Sequence, residues 1–164
     1  MLPDSWAPNN GRNCTPSPAS AGQYVISAAT VAALGDQFFS GLGPQNQTFG
    51  ADSSVSAVMA QSAGVQDVLN NYYMTGQTSG LQGFGAPGYV SAGWNPVAQF
   101  VGSFRYSISP GAGGINLSLT NTTSFKSLFF DVGPQWARHT QFGVGVPMGN
   151  THQTYNIFVP CKVG

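Results

Sequence analysis

The sequence predicts an α+β fold, with N-terminal helices packed on a C-terminal antiparallel β-sheet. Three observations carry this. Apolar residues alternate with polar ones from Phe104 onward: Phe104, Tyr106 and Ile108 against Arg105, Ser107 and Ser109, then Ile115, Leu117 and Leu119 against Asn116, Ser118 and Thr120. Successive side chains of a strand face opposite sides, so this spacing marks strands with one buried and one wetted face. Before residue 75 the apolar spacing is helical instead. Between the two halves, Gly76, Gly80, Gly83, Gly85 and Gly88 mark a long loop.

Residues 1–22 hold Pro3, Pro8, Pro16 and Pro18 among Asn, Ser and Gly, and read as an extended lead-in. Residues 23–164 read as one globular domain, helical over 23–75, a Gly-rich loop over 76–96 and an antiparallel sheet over 97–160. Gln23 to Phe39 has no proline, and Val25, Ala28, Ala29, Ala32 and Ala33 form a helical stripe that Gly35 is placed to end, although the β-branched Val25, Ile26, Thr30 and Val31 also suit a strand. Gly41 to Gly50 reads as a loop. Asp52 or Ser53 then caps one broken helix, or two short ones, reaching Met74, with Val55, Val58, Met59, Val65, Val68, Leu69 and Tyr72 inward. Gly93-Trp94-Asn95-Pro96 reads as a turn into a first strand, Val97 to Ile108. Pro110 to Gly114 makes a hairpin turn. Further strands are expected over Phe125–Val132 and Thr151–Pro160, four to five in all.

A chain of 164 residues suits one domain with a real core. Charge is its unusual feature. Asp, Glu, Lys and Arg make up 6% of residues, against roughly a quarter in average soluble domains. Five acids balance five bases, leaving no field to steer a nucleic acid or an anionic membrane, so nucleic acid is not expected as a partner. A surface built from Ser, Thr, Asn, Gln and Gly lacks the usual repulsion between copies, which favours association with another protein or with copies of itself. No run approaches the ~18 to 20 apolar residues of a membrane-spanning helix, so no transmembrane segment is expected. The start, Met1 to Trp6, has no basic region followed by an apolar one, so the chain reads as a fragment of a longer export substrate. Cys14 and Cys161 near opposite ends predict a disulfide that ties the termini together, as in small extracellular domains. Four Asn-X-Ser/Thr triplets, at Asn13, Asn46, Asn116 and Asn121, leave glycosylation open.

Candidate chemistry is sparse. His139 and His152 are the only side chains that ordinarily titrate near neutrality. A nuclease or hydrolase would pair them with Asp131 and set Arg138 on an anionic transition state. The plainer reading puts His152 on the polar face of the last strand and His139 in a loop. No histidine spacing fits a metal site, glutamate is absent, and no pattern calls for a cofactor. Gly76-Gln77-Thr78-Ser79-Gly80 lacks the lysine of a phosphate-binding loop, and no Gly-X-Ser-X-Gly elbow occurs. Trp136 and Tyr155 are the candidate binding residues, Trp136 with Arg138 being able to stack on a ring, sugar or base.

Gly102-Ser103-Phe104, Leu119 to Ser127, Trp136, Arg138 and Pro147 to Tyr155 together resemble the C-terminal variable region of bacterial RHS-repeat (YD-repeat) proteins, over about residues 102–155. In that family the variable tip follows an encapsulating shell and is commonly a toxin or effector delivered to a neighbouring cell. The tips include nucleases, deaminases, transferases and pore formers. The resemblance implies that the parent RHS shell is a partner and carries the export information, which places the chain outside the producing cell. The expectation is therefore an exported effector or recognition module acting mainly by binding. The alternatives are a structural subunit of an extracellular coat or filament, and a toxin of hydrolase type using the two histidines.

Overall fold

The computed structural model describes residues 12–83, 95–123 and 147–163. In chain order the elements are β1 (Arg12–Cys14), α1 (Ala21–Ser40), β2 (Asn46–Phe49), α2 (Ser54–Met59), α3 (Ala63–Thr75), β3 (Ser79–Gln82), α4 (Pro96–Val101), β4 (Phe104–Gly111), β5 (Gly114–Thr123) and β6 (Thr151–Val163). The architecture is α+β, with three of the four described helices before residue 76 and the three longest strands, β4, β5 and β6, after residue 103. The strand order is β1-β6-β5-β4-β3, with β2 also paired to β6. Every pairing is antiparallel except that of β2 with β6.

The two-residue alternation works as the sequence implies. One face of the sheet buries the rows Tyr106–Leu119–Tyr155 and Ile108–Leu117–Ile157, followed by Ile115 beside Val159. Val55, Val58 and Met59 of α2, Val65, Val68, Leu69 and Tyr72 of α3, and Val97, Ala98 and Val101 of α4 join them in one buried cluster. Burying each such side chain is worth about 1.5 to 3 kcal/mol, which is why the register cannot slip by one residue.

Turn chemistry fixes the hairpin. Only Ala112 and Gly113 separate β4 from β5, and Gly113 takes a left-handed φ of 75°. Gly114 begins β5 where the backbone of β6 comes too close for a side chain. A Cβ there would collide with the Val159 carbonyl oxygen and lie 2.7 Å from the Phe158 ring.

The helices start and stop on local signals. Ser20 and Gln23 form a capping box on α1 (3.2 and 2.8 Å), and Gly41 closes it in the left-handed conformation with its N–H on the Gln37 carbonyl at 2.9 Å. Ser53 and Ser62 cap α2 and α3, so of the two forms expected between Ser53 and Met74, one broken helix or two short ones, the chain takes the second.

Several expectations are corrected. α1 runs through Gly35 to Ser40, and its buried positions are Ser27, Leu34 and Phe38 with Val31 half-buried; Val25, Ala28, Ala29, Ala32 and Ala33 face outward. Leu34 and Phe38 have far more apolar surface to bury than four alanines, and they set the helix rotation. Val97 to Val101 is helix rather than strand. Asn95 caps it by accepting from the Ala98 N–H at 2.9 Å, Pro96 occupies its first turn, and the strand begins only at Phe104. The supposed loops Gly41–Gly50 and 76–96 contain β2 and β3, and the lead-in contains β1, so the described residues supply six strands to the sheet. The expected strand Phe125–Val132 lies outside the described residues.

Candidate functional site: the polar face of the sheet

The second face of the sheet carries the side chains that alternate with the core. One row across it is Ser79, Ser107, Ser118 and Asn156, contributed by β3, β4, β5 and β6. The next row toward the hairpin is Ser109, Asn116 and Phe158. On the opposite side lie Arg105, Thr120 and Thr154, then Thr122 and His152. Adjacent strands are spaced about 4.8 Å apart, so the four-residue row spans roughly 14 Å. Small neutral hydroxyls and amides dominate it, with the Arg105 guanidinium and the His152 ring toward one end.

This face is indented. Ser107, Ser109, Asn116, Ser118 and Asn156 line a trough of about 240 Å³, with Leu117 and Ile157 between them and Ala51 at its rim. Ser107, Ser109 and Asn116 are exposed, and Ser118 and Asn156 are half-buried. The Asn116 amide reaches back to the Pro110 carbonyl at 3.5 Å. Among the described residues the hydroxyls of Ser107, Ser109 and Ser118 and the Asn156 amide take no intramolecular partner, so their hydrogen-bonding capacity is open to solvent or to a ligand. Rigid strands position them; the core rows behind are close to fully buried. At the hairpin end Phe158 is 38% exposed, its ring lying over Gly114.

No protein-family model, curated protein or solved structure matches this chain.

The sequence-derived site residues fall in three places. His139, Asp131, Arg138 and Trp136 lie outside the described residues. His152 is exposed on the polar face, its Nδ1 2.9 Å from the Thr122 hydroxyl. Tyr155 lies at the centre of the opposite, buried face with no exposed surface, its ring stacked on Phe49 at 5.2 Å. Its hydroxyl is buried without a hydrogen-bond partner among the described residues, and burial pushes its pKa well above the ordinary tyrosine range. Tyr155 and His152 thus occupy different sides of β6. Cys14 and Cys161 are bonded to each other, as the sequence predicts, across the directly paired positions of β1 and β6.

A second polar group sits on the buried side, at the far end of β5 and β6. Asn121 donates to the Gln153 side-chain oxygen at 3.0 Å, Thr123 does so at 3.0 Å, and the Gln153 amide donates to the Thr151 hydroxyl at 2.9 Å. All four residues are buried. The network is satisfied internally and specifies the β5–β6 register; it also removes Asn121 from the accessible Asn-X-Ser/Thr triplets. Asn46 and Asn116 remain exposed. Among the described residues no three His, Cys, Asp or Glu side chains gather into a possible metal site, and no helix is long and apolar enough to cross a membrane.

Sequence reasoning identified Ser107, Ser109, Asn116 and Ser118 as outward-facing but assigned them no role. The signal available was negative: wetted strand faces ordinarily carry Lys and Glu, and these do not. The contribution of Asn156 and Ala51 depends on the pairing of β6 with both β5 and β2, which no local pattern reveals.

Proposed function

We propose that this chain is a recognition module that acts outside the cell by binding, as the resemblance to the C-terminal tips of RHS-type proteins implies, and that it binds through the polar face of its sheet. The observation that carries the reading is the row of neutral hydroxyls and amides on a rigid β4–β5–β6 platform, unengaged by other described residues. Such a surface gains little from long-range electrostatics and holds its partner by short-range, directional hydrogen bonds, which makes it selective rather than sticky. The disulfide suits an oxidising compartment.

The test is saturable binding of the purified, fluorescently labelled chain to intact bacterial cells. Binding is expected to survive 0.5 M salt, as only about a 4–5 Å screening length remains there, and to be lost in Ser118→Lys, which places an ammonium in the middle of the face. Absence of saturable binding, or undiminished binding by that variant, overturns the reading. Growth should be unaffected when the chain is expressed with or without an export signal; arrest restricted to one compartment would instead favour a catalytic toxin.

A second reading, a self-associating structural subunit, is favoured by the outer face of α1. Val25, Ala28, Ala32, Gly35, Phe39 and the following Leu42 recur at alternating spacings of three and four, the interval of a helix–helix seam. Val25, Phe39 and Leu42 are 71%, 54% and 73% exposed. Sedimentation of the purified chain decides this: concentration-dependent assembly abolished by Val25→Lys supports it, and a monomer at all concentrations removes it.

A further inference from the structure

We infer that the trough between β4, β5 and β6 seats a neutral sugar unit of a glycan. This rests on the binding role proposed above and names the chemistry of what is bound. A sugar ring presents hydroxyls that each donate and accept. The groups facing it here have the same dual character: the Ser107, Ser109 and Ser118 hydroxyls and the two amides of Asn116 and Asn156. None of the residues lining the trough carries a charge. A cationic ligand would therefore leave its ion unpaired against the sheet, and an anionic one would have only Arg105, a row outside the trough, to pair with, at a cost of desolvation that neutral hydroxyls do not incur.

Size and shape point the same way. A volume of about 240 Å³ is smaller than the roughly 300 Å³ at which pockets for drug-sized molecules begin. It accepts one ring, not a large compact ligand. Beside the trough, on the same face, lies Phe158, paired in register with the lining residue Asn116. Its ring rests on the bare backbone at Gly114 and keeps 38% of its surface exposed. An apolar ring face beside a polar trough matches the two-sided character of a sugar, whose C–H faces are apolar and whose rim is polar. A unit in the trough would leave the next one within reach of that platform.

The mode of binding sets the expected strength. Each net hydrogen bond contributes about 0.5 to 1.5 kcal/mol, or a factor of roughly two to ten in affinity. A few such bonds to a shallow site give weak affinity for a single chain, so avidity from several copies of the module would be needed for durable attachment.

The experiment is titration of isotopically labelled protein with maltohexaose, cellohexaose and chitohexaose, followed by amide chemical shifts. At least one of the three is expected to perturb Ser107, Ser109, Asn116, Ser118 and Asn156 together. Asn156→Ala should weaken that sugar about two- to tenfold, and Phe158→Ala should weaken the hexaose more than the corresponding disaccharide. Both positions retain solvent access, and a preserved amide spectrum certifies the fold of each variant. Shifts confined to other surfaces, or no shifts at 20 mM of any sugar (about an order of magnitude above a millimolar dissociation constant), overturn the inference. The two proposals separate cleanly. Cell binding that Ser118→Lys abolishes but 20 mM of the sugars does not compete (the same order-of-magnitude excess) overturns the glycan and leaves the recognition role; no cell binding at all overturns both.

Discussion

Tyr155 shows how one atom can set a residue's behaviour. Its ring is central to the core and stacks on Phe49, yet its hydroxyl is buried with no partner among the described residues. A buried polar group without a hydrogen bond costs about 1 to 3 kcal/mol, so Tyr155→Phe should leave stability equal or raise it by about 1 to 2 kcal/mol in urea unfolding. Tyr73 is the contrast. Its hydroxyl donates to the Cys14 carbonyl at 2.5 Å, and burial first and the neighbouring Tyr72 second push its pKa up to about 12. In both residues the folded state favours the neutral phenol, so the folded pKa exceeds the unfolded one. That stabilisation is whole below the unfolded tyrosine pKa of about 10 and disappears as pH rises through the folded value. The urea midpoint is accordingly expected to be flat from neutrality to about pH 9 and to fall above about pH 10, less steeply in Tyr155→Phe. A loss of more than about 1 kcal/mol at neutral pH in that variant would mean that the hydroxyl has a partner after all.

At the scale of elements, the short helix α4 depends on one side chain. Asn95 accepts from the Ala98 N–H at 2.9 Å and donates through its amide to the Val58 carbonyl at 2.8 Å, so it both caps α4 and ties it to α2. A cap is worth about 1 kcal/mol and a net hydrogen bond about as much again, so Asn95→Ala should cost about 2 kcal/mol. Asn95→Asp should retain the cap but set an acceptor-only oxygen against the buried Val58 carbonyl, so it should cost at least as much as Asn95→Ala; an Ala variant as stable as the parent would discount both contacts. The Asn95-Pro96 signal was present in the sequence as a helix start, but Val97 and Val101 are also good strand residues, and a six-residue helix is too short for periodicity to arbitrate. The strands β4, β5 and β6 were legible because each alternates for at least six residues. β2 and β3 were not, at four residues each and with partners far away in the chain. β2 in particular is stabilised by a parallel pairing with residues about a hundred positions later, and only tertiary structure supplies that. The polar face follows the same division. Its outward residues could be named from period two, whereas the rows that make a trough require the two-residue turn at Ala112-Gly113 and the register of β6.

The molecule as a whole is closed by its N-terminal segment rather than by its size. β1 pairs with the last residues of β6 through only three positions. From there the chain crosses the helices, held by Tyr73 on the Cys14 carbonyl, by the Thr15 N–H on the Pro160 carbonyl at 3.2 Å, and by Gln61 on the Ser17 carbonyl at 2.7 Å. A three-residue strand alone would fray. The disulfide spans 147 positions of sequence, and the chain-entropy model assigns a loop of that length about 5 kcal/mol, with 2 to 4 kcal/mol typical of measured bridges. For a domain of this size that corresponds to a fall in melting temperature on the order of 10 °C when Cys14→Ser and Cys161→Ser are combined. The loss should also be spatially ordered. Amide exchange at Arg12–Thr15 and at Cys161–Val163 should accelerate first, while Leu117, Leu119 and Tyr155 remain protected up to global unfolding, because the β4–β5–β6 rows and the helices over them supply nearly all of the buried cluster, to which the clamp adds Cys14 with Cys161 packed against it. The polar trough lies on those three strands. Reduction should thus lower stability without abolishing binding at temperatures well below the transition, and a double serine variant that stays folded but no longer binds would show that the N-terminal segment shapes the site directly.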